Sequence, residues 1–423
     1  MSGRVFVIGA GLSGLCAAVR LARAGRQVVL AEAAGQAGGR CRSYHDAALD
    51  MLIDNGNHLV LSGNRAVHDY LGLCGAGDAL AGPDRAQFDF TDLASSAHWR
   101  LTPDEGPLPF WVTRARRRVP GTSARDYAAY LPLLWAGKDK RIADCVPVTG
   151  PLWDRLMRPF LLAALNTEPE DSSAALAGAV VRETLAKGGR HYRPRIAHPT
   201  LAAAFVDPAL RFLAAHGGTV KLGARLRAIT FNGSHAAALD LPDGTEPIAP
   251  DDAVILAVPP WSAEALLPDL TVPNDFRAIV NGHFRIAPPP QWLPKNGAPA
   301  MLGVIGGTAE WIFAFPDRVS VTVSGADAIV DKSREDLAAL LWADVAKALD
   351  MDAPLPPWQI VKEKRATFAA TPAQDARRPG AATRWRNLFL AGDWTATGLP
   401  ATIEGALRSG ETAATLAARH LGL

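Results

Sequence analysis

Arg4-Val5-Phe6-Val7-Ile8-Gly9-Ala10-Gly11-Leu12-Ser13-Gly14 is a short apolar run closed at once by three spaced glycines. The run Arg4–Ile8 reads as a buried parallel strand. Apolar residues at helical spacing follow through Leu15, Ala18, Val19 and Leu21, and Gly25 stops them. Gln27 to Ala31 is a second apolar run, ended by Glu32. Strand, GxGxxG, helix, strand and acid in that order make a dinucleotide-binding unit. Gly9 allows the tight turn, Gly11 lets the backbone approach a pyrophosphate, and Gly14 lets helix and strand pack closely. With Leu12 and Ser13, the helix N-terminus offers free N–H groups and a partial positive charge to phosphates. Glu32, followed by Ala33, is placed to accept ribose hydroxyls. A glycine-rich structural turn would not account for Glu32.

Working outward, Gly35-Gln36-Ala37-Gly38-Gly39-Arg40 comes directly after that acid. Two adjacent glycines and an arginine there bring more backbone and a cation to the same diphosphate, which an NAD site does not need. At the other end of the chain, Asn387 to Asp393 is an apolar strand ending in Gly392-Asp393. A turn from Trp394 to Leu399 follows. Pro400 is suited to open a helix, which continues through Ala401, Thr402 and Ile403 with small residues to Gly410. In the middle, Gly217–Leu222 and Arg225–Ile229 look like a pair of strands, and Asp252–Pro260 is an apolar strand ended by two prolines. The nucleotide-binding domain is therefore expected to be discontinuous, over 1–80, 200–262 and 385–423. The remainder, 81–199 and 263–384, forms a second, substrate-binding domain. Its first half reads mainly helical, at Ala124–Trp135, Leu152–Leu165 and Ser172–Ala186. Its second half has strands at Ala278–Ile286, Trp311–Phe315 and Val319–Val323 and a helix at Ser333–Leu349. The fold class is α/β, with a Rossmann-like domain and an interleaved α+β domain.

Composition narrows the function. The chain has 423 residues, 48% apolar and 20% charged, close to globular averages. Lys plus Arg number 44 against 42 Asp plus Glu, a formal charge of +2, which weighs against a nucleic-acid partner. Cys16, Cys41, Cys74 and Cys145 lie far apart, so neither a metal site nor a disulfide scaffold is expected, and the compartment is taken as reducing. No stretch reaches the roughly 18 to 20 apolar residues of a spanning helix. The N-terminus runs into the glycine motif with no cleavage pattern, so no signal peptide is expected. A cytoplasmic protein is expected, with peripheral contact at the inner membrane as an option.

The GG-Arg extension and the C-terminal Gly-Asp strand resemble those of flavoproteins in the amine oxidase and carotenoid desaturase superfamily, with a glutathione-reductase-like FAD-binding domain. That resemblance implies noncovalent FAD, since no cysteine lies near the C-terminal motif. It implies that Asp393 binds the ribityl or phosphate part and that the helix starting near Ala401-Thr402-Ile403 points at the flavin N1/C2=O edge. It also implies that the Leu226 backbone meets the adenine. Asp54-Asn55-Gly56-Asn57-His58 resembles the segment beside the isoalloxazine. His58 is thus a catalytic candidate, and equally a satisfied structural histidine. The strand that carries a lysine in amine oxidases reads Ala278-Ile279-Val280-Asn281-Gly282-His283-Phe284 here, with no lysine. Asn281 and His283 share a face at strand spacing. They are either polar groups aimed at the flavin or solvent-facing residues of an edge strand.

Pro159 to Ala174, with Leu165-Asn166-Thr167-Glu168-Pro169-Glu170, looks like the signature of bacterial hydroxysqualene dehydroxylases, also called squalene-associated FAD-dependent desaturases. From residues alone it reads as one helix ended by Asn-Thr-x-Pro and another capped near Asp171 or Ser172. The family resemblance implies reduction of hydroxysqualene to squalene and water in squalene and hopanoid biosynthesis, with hydride from reduced FAD. The leaving hydroxyl needs a general acid, and His58 and His283 are the hypotheses because histidine titrates near neutrality. Asn281 would orient the hydroxyl. A triterpene needs an apolar tunnel and partitions into membranes. Phe110 to Val119 sets aromatics beside arginines, which fits either a lipid-docking patch or a solvated loop. Gly303-Val304-Ile305-Gly306-Gly307 lacks the helix and acid of a second dinucleotide unit, so the electron donor is unassigned. A carotenoid desaturase is the nearest rival, and an amine oxidase the next.

Overall fold

The computed structural model describes residues 3–293 and 299–422. Its first sheet has five parallel strands in the order Thr219–Lys221, Val28–Ala31, Val5–Ile8, Ala253–Leu256, Leu388–Leu390. Val5–Ile8, Ala253–Leu256 and Leu388–Leu390 are buried at every position. Such unbroken apolar runs suit a parallel sheet covered on both faces. Val5, Val7 and Ile255 pack with Leu15, Val19, Leu213 and Ala413 of the helices Leu12–Arg23, Asp207–Ala215 and Ile403–His420. Phe6, Ile8 and Val254 pack with Ile229 and Leu239 of a three-stranded antiparallel sheet. Gly9 has φ +107, a conformation that β-carbon-bearing residues rarely adopt. Ser13 and Cys16 of the first helix lie so close to the last that a Cβ at Gly410 would sit 2.2 Å from the Ser13 carbonyl oxygen. The small residues of the C-terminal helix thus serve its packing on the N-terminal one.

The second sheet has seven strands in the order Trp358–Phe368, Phe276–Phe284, Val319–Val323, Trp311–Ala314, Ala300–Ile305, Phe88–Asp92, Ala97–Leu101. Strand alternation gives it two unlike faces. Val280, Val319, Val321 and Val323 pack on Leu337, Leu341 and Val345 of the helix Arg334–Leu349. Asn281, His283, Ser320 and Thr322 occupy the alternate positions. Nearer the far edge, Phe90 stacks on Trp99 (ring centroids 5.5 Å apart) and meets Trp311 edge-on at 5.7 Å.

Several local expectations are corrected. The segment 81–199 is not mainly helical at its start, because Phe88–Asp92 and Ala97–Leu101 complete the large sheet. Ala124–Trp135 is not one helix. It is α-helical over Ala124–Ala128 and resumes as a 3₁₀ turn over Leu131–Trp135, where Pro132 has no N–H to give. Leu152–Leu165 is helical, through a π turn at Trp153–Met157 and an α-helix at Arg158–Leu165. The next helix is Ala174–Glu183, capped by Ser173 rather than Asp171 or Ser172. Gly217–Leu222 and Arg225–Ile229 are not partners: Thr219–Lys221 joins the parallel sheet and Ala228–Asn232 the antiparallel one. Gly223, at φ +70, turns the chain between them. Pro400 does not open the last helix, which starts at Ile403 with the Thr402 Oγ1 accepting from the Gly405 N–H at 3.0 Å.

Candidate active site

The two chain ends meet at one ion pair. The Arg40 guanidinium lies 2.7 Å from the Asp393 carboxylate and also donates to the Ala366 carbonyl. Arg40 stays 43% exposed while Asp393 is 8% exposed, so the cation side is open to a ligand and the carboxylate is held. Asp393 itself sits in a turn gathered by Arg378, which donates to the carbonyls of Asp393 and Thr395 and to the Thr397 hydroxyl. Gly392 donates its N–H to the Ser409 hydroxyl at 2.9 Å, tying the strand end to the last helix. Ile403 is buried and Ala401 and Thr402 are half-buried where this helix begins.

Around the N-terminal glycines the geometry is that of an open cradle. A Cβ built at Gly11 meets nothing within 4 Å, whereas one at Gly14 would lie 1.9 Å from the Gly9 carbonyl oxygen. Gly11 precedes the helix Leu12–Arg23, whose first turn has no side-chain cap and no acid. Its N–H groups and partial positive charge therefore remain available to an anion. Gly39 packs beside Gly11, with its own would-be Cβ 3.4 Å from the Gly11 Cα. Glu32 accepts from the Ala10 N–H at 2.7 Å and the Ala34 N–H at 2.8 Å, next to exposed Ala33. The Glu32 carbonyl accepts from Ala224, two residues before the buried Leu226. Asn55 is 4% exposed and its Oδ1 has no partner within the protein. A glycine whose side is free and an uncapped helix start suit a diphosphate, while the open Asn55 acceptor suits a hydroxyl or ring N–H of the same nucleotide.

Asn281 is not on an edge. Its strand lies between Trp358–Phe368 and Val319–Val323, and Asn281 is 3% exposed. Its side-chain oxygen accepts from the Thr322 hydroxyl at 2.8 Å and the Asn57 N–H at 3.4 Å, and Asn57 Nδ2 donates to the Thr322 hydroxyl at 3.2 Å. The Asn281 amide nitrogen is therefore turned toward Gly56, where a Cβ would lie 2.7 Å from it. The large sheet thus meets the Asn55–His58 segment through Asn281.

His283, on the same face, is 1% exposed, and its Nδ1 pairs with the Ser320 hydroxyl at 2.9 Å. Burial, helped by the Arg318 cation, pushes its pKa down to about 4. His58 is half-buried, and burial with the Arg40 cation pushes it down to about 4 as well. Both shifts favour the neutral ring near pH 7, which counts against an imidazolium acid at either position.

Sequence reasoning missed four groups here. Thr322 and Arg378 act through hydrogen bonds between distant segments, and no motif marks them. Burial raises Asp54, whose Oδ1 accepts from the Ser43 hydroxyl and the Leu201 N–H. Burial pushes Glu310, beside Trp311, up to about 7. The Leu-Asn-Thr segment proves to be a clamp. Asn166 ends its helix at φ 50, donates to the Thr367 hydroxyl at 2.9 Å and accepts from the Gly325 N–H at 2.7 Å. The Thr167 hydroxyl accepts from the Ala370 N–H.

Residues 12–418 match the family described as flavin containing amine oxidoreductase. The chain belongs to that family. Among curated members it is 57% identical over 417 residues to hydroxysqualene dehydroxylase of Rhodopseudomonas palustris, covering 98% of each chain. It is 51% identical to hydroxysqualene dehydroxylase of Sinorhizobium fredii, covering 99% of each. The fold is shared with cyclohexylamine oxidase of Brevibacterium oxydans (TM-score 0.71, 14% identity, all of each chain). It is shared too with a double mutant of putrescine oxidase (TM-score 0.71, 18% identity, 98% of this chain and 99% of that one). Within that family's fold, this chain has Asn281 on a strand, Phe276–Phe284, that carries no lysine. Among its described residues, no helix is long and apolar enough to cross a membrane.

Proposed function

We propose that this protein is an FAD-dependent oxidoreductase that reduces hydroxysqualene to squalene with loss of water. The observation that carries the reading is near full-length identity to two proteins named for that reaction. The site's chemistry agrees with it. Gly9, Gly11, Leu12, Ser13 and Gly14 would hold the diphosphate, Glu32 with Ala33 the ribose, and Leu226 the adenine. Gly39, Arg40, Asn55, Gly56, Gly392, Asp393 and the helix start at Ala401, Thr402 and Ile403 would hold the rest. The division into a nucleotide domain (1–80, 200–262, 385–423) and a substrate domain (81–199, 263–384) belongs to the same proposal. It is supported by the membership of the two large sheets.

FAD, when bound and reduced, supplies the hydride that replaces the hydroxyl. The chain's residues do the rest. The Asn281 amide, fixed by Thr322 and Asn57, donates to the substrate hydroxyl and orients its carbon. Neutral His58 and His283 add no positive charge beside the allylic carbon as it becomes cation-like, and the proton for the departing hydroxyl comes from a group other than an imidazolium. The polyene would need an apolar wall, and the packed rings of Phe90, Trp99 and Trp311 are the candidate for it. Peripheral contact with a membrane is part of this reading, because the substrate partitions into lipid.

The test is direct. Purified protein is given reduced or oxidised FAD with hydroxysqualene, a phytoene-type polyene or an amine, and products are analysed. Squalene formed only with reduced FAD is expected. A desaturated polyene or an oxidised amine in its place would overturn the reading.

A further inference from the structure

The sequence suggests Phe110–Val119 as a lipid-facing stretch, but folding withdraws half of it. Trp111 and Val112 are buried, and Trp111 packs edge-on against Tyr127 at 5.2 Å. Arg117 is committed to Asp104 and the Thr102 carbonyl, and Arg118 to the Val112 carbonyl. What remains outward is Phe110, 62% exposed, with Arg114 and Arg116. The same fold brings out residues that no motif marked. Leu108 is 62% exposed, and the turn Leu131–Trp135 buries Leu133 while leaving Leu131 and Trp135 outside, Trp135 at 77%. Of the nine large hydrophobic side chains exposed among the described residues, these four fall between 108 and 135, and they include both of the aromatic ones. The two segments are joined through the Trp111–Tyr127 contact and the hydrogen bond from Val119 N–H to the Tyr127 hydroxyl. Arg114, Arg116, Lys138 and Lys140 are exposed and have no ion pair among the described residues.

We infer that Phe110 and Trp135, on two segments tied through Tyr127 and followed in the chain by the uncommitted Arg114, Arg116, Lys138 and Lys140, form a docking surface for an anionic lipid bilayer. Exposed aromatics settle at the headgroup level, and uncommitted cations are drawn to anionic headgroups. Asp126 and Asp139 are also exposed there, but Arg114, Arg116, Arg125, Lys138 and Lys140 outnumber them, and that basic excess favours an anionic bilayer. The inference rests on the proposed function in one respect: a triterpene would be drawn from the bilayer that this surface touches.

The FAD-loaded protein is floated with vesicles of phosphatidylglycerol and phosphatidylethanolamine, and with vesicles of phosphatidylcholine alone. Binding to the anionic vesicles, weakened by salt, is expected. Trp135→Ser with Phe110→Ser should lower partitioning about tenfold or more. Arg114→Glu with Arg116→Glu should lower it about thirtyfold or more, and should do so even if the apolar variant folds poorly. Leu222→Ser, at an exposed site on another segment, should leave binding unchanged. Turnover of detergent-dispersed hydroxysqualene should be unaffected by the patch variants, while turnover of vesicle-borne substrate falls. Equal flotation of wild type and both patch variants would overturn the inference. So would absence of vesicle binding with a self-associated wild type that the variants make monomeric, since the surface would then serve a protein contact. Flotation needs no substrate, so vesicle binding by a protein inactive on hydroxysqualene would sink the function and leave the surface standing.

Discussion

A Cβ at Gly14 would lie 1.9 Å from the Gly9 carbonyl oxygen and 3.1 Å from the Ala257 Cβ, whereas one at Gly11 has nothing within 4 Å. The two glycines of one motif therefore answer to different demands, and Gly14→Ala and Gly11→Val separate them. Alanine at Gly14 drives a methyl into backbone that cannot yield. Overpacking of that kind costs about 3 kcal/mol or more here, because the first helix must lift from its strand. Valine at Gly11 stands in an N-cap position whose φ of −70 and ψ of 173 suit any residue. Its cost to the protein without cofactor is below about 1 kcal/mol. It does, however, fill the space the diphosphate would take. Losing even one charge-assisted hydrogen bond from the backbone costs about 2 kcal/mol, roughly thirtyfold in dissociation constant. Guanidinium unfolding of the FAD-free proteins measures the first quantity. Quenching of FAD fluorescence on titration measures the second. The reasoning is refuted if Gly11→Val destabilises the FAD-free protein as much as Gly14→Ala does, or if it binds FAD as the wild type does.

The buried His283 ties stability to pH. Its pKa is depressed to about 4 from an ordinary 6.5, so its contribution is complete above about pH 6.5. It is lost as pH falls toward 4, reaching about 3 kcal/mol, and His283→Gln should reduce the slope over that window, with the share of His58 remaining; an unchanged slope counts against it. Asn166→Ala removes two buried hydrogen bonds and a residue at ease at φ 50. It should cost about 3 kcal/mol in chemical denaturation, with Asn166→Gly recovering about 1 kcal/mol, and a wild-type midpoint for the alanine variant would show the clamp to be idle. Thr322→Val should lower kcat about fivefold to tenfold by freeing the Asn281 amide, with FAD affinity and the flavin spectrum unchanged. Thr322→Ser should restore turnover, and equal kcat in all three would remove Thr322 from positioning.

Much of the nucleotide half was legible in the sequence because its signals are local. Val5–Ile8, the spaced glycines and Glu32 lie within 28 consecutive residues, and each position has its own physical use there. The large sheet was only half legible. Phe88–Asp92 and Ala97–Leu101 carry charged and polar residues at alternate positions; they pair with each other, and Phe88–Asp92 joins the sheet through Ala300–Ile305, about two hundred positions away in the chain. Asn281 and His283 illustrate the boundary. Period-two spacing put them on one face, but an edge and a centre of a sheet have the same period. Only the pairing with strands on both sides made that face interior.

The sequence by itself therefore determined the parallel α/β core and the family, since these rest on short-range patterns of apolar residues and glycine. Tertiary structure alone decided that Arg40 meets Asp393 across 353 positions, that Thr322 turns the Asn281 amide, and that both candidate histidines are neutral near pH 7. It also exposed Trp135 and buried Trp111. Contact, desolvation and exposure are properties of what lies beside a residue in space, and for these residues the neighbours come from distant parts of the chain.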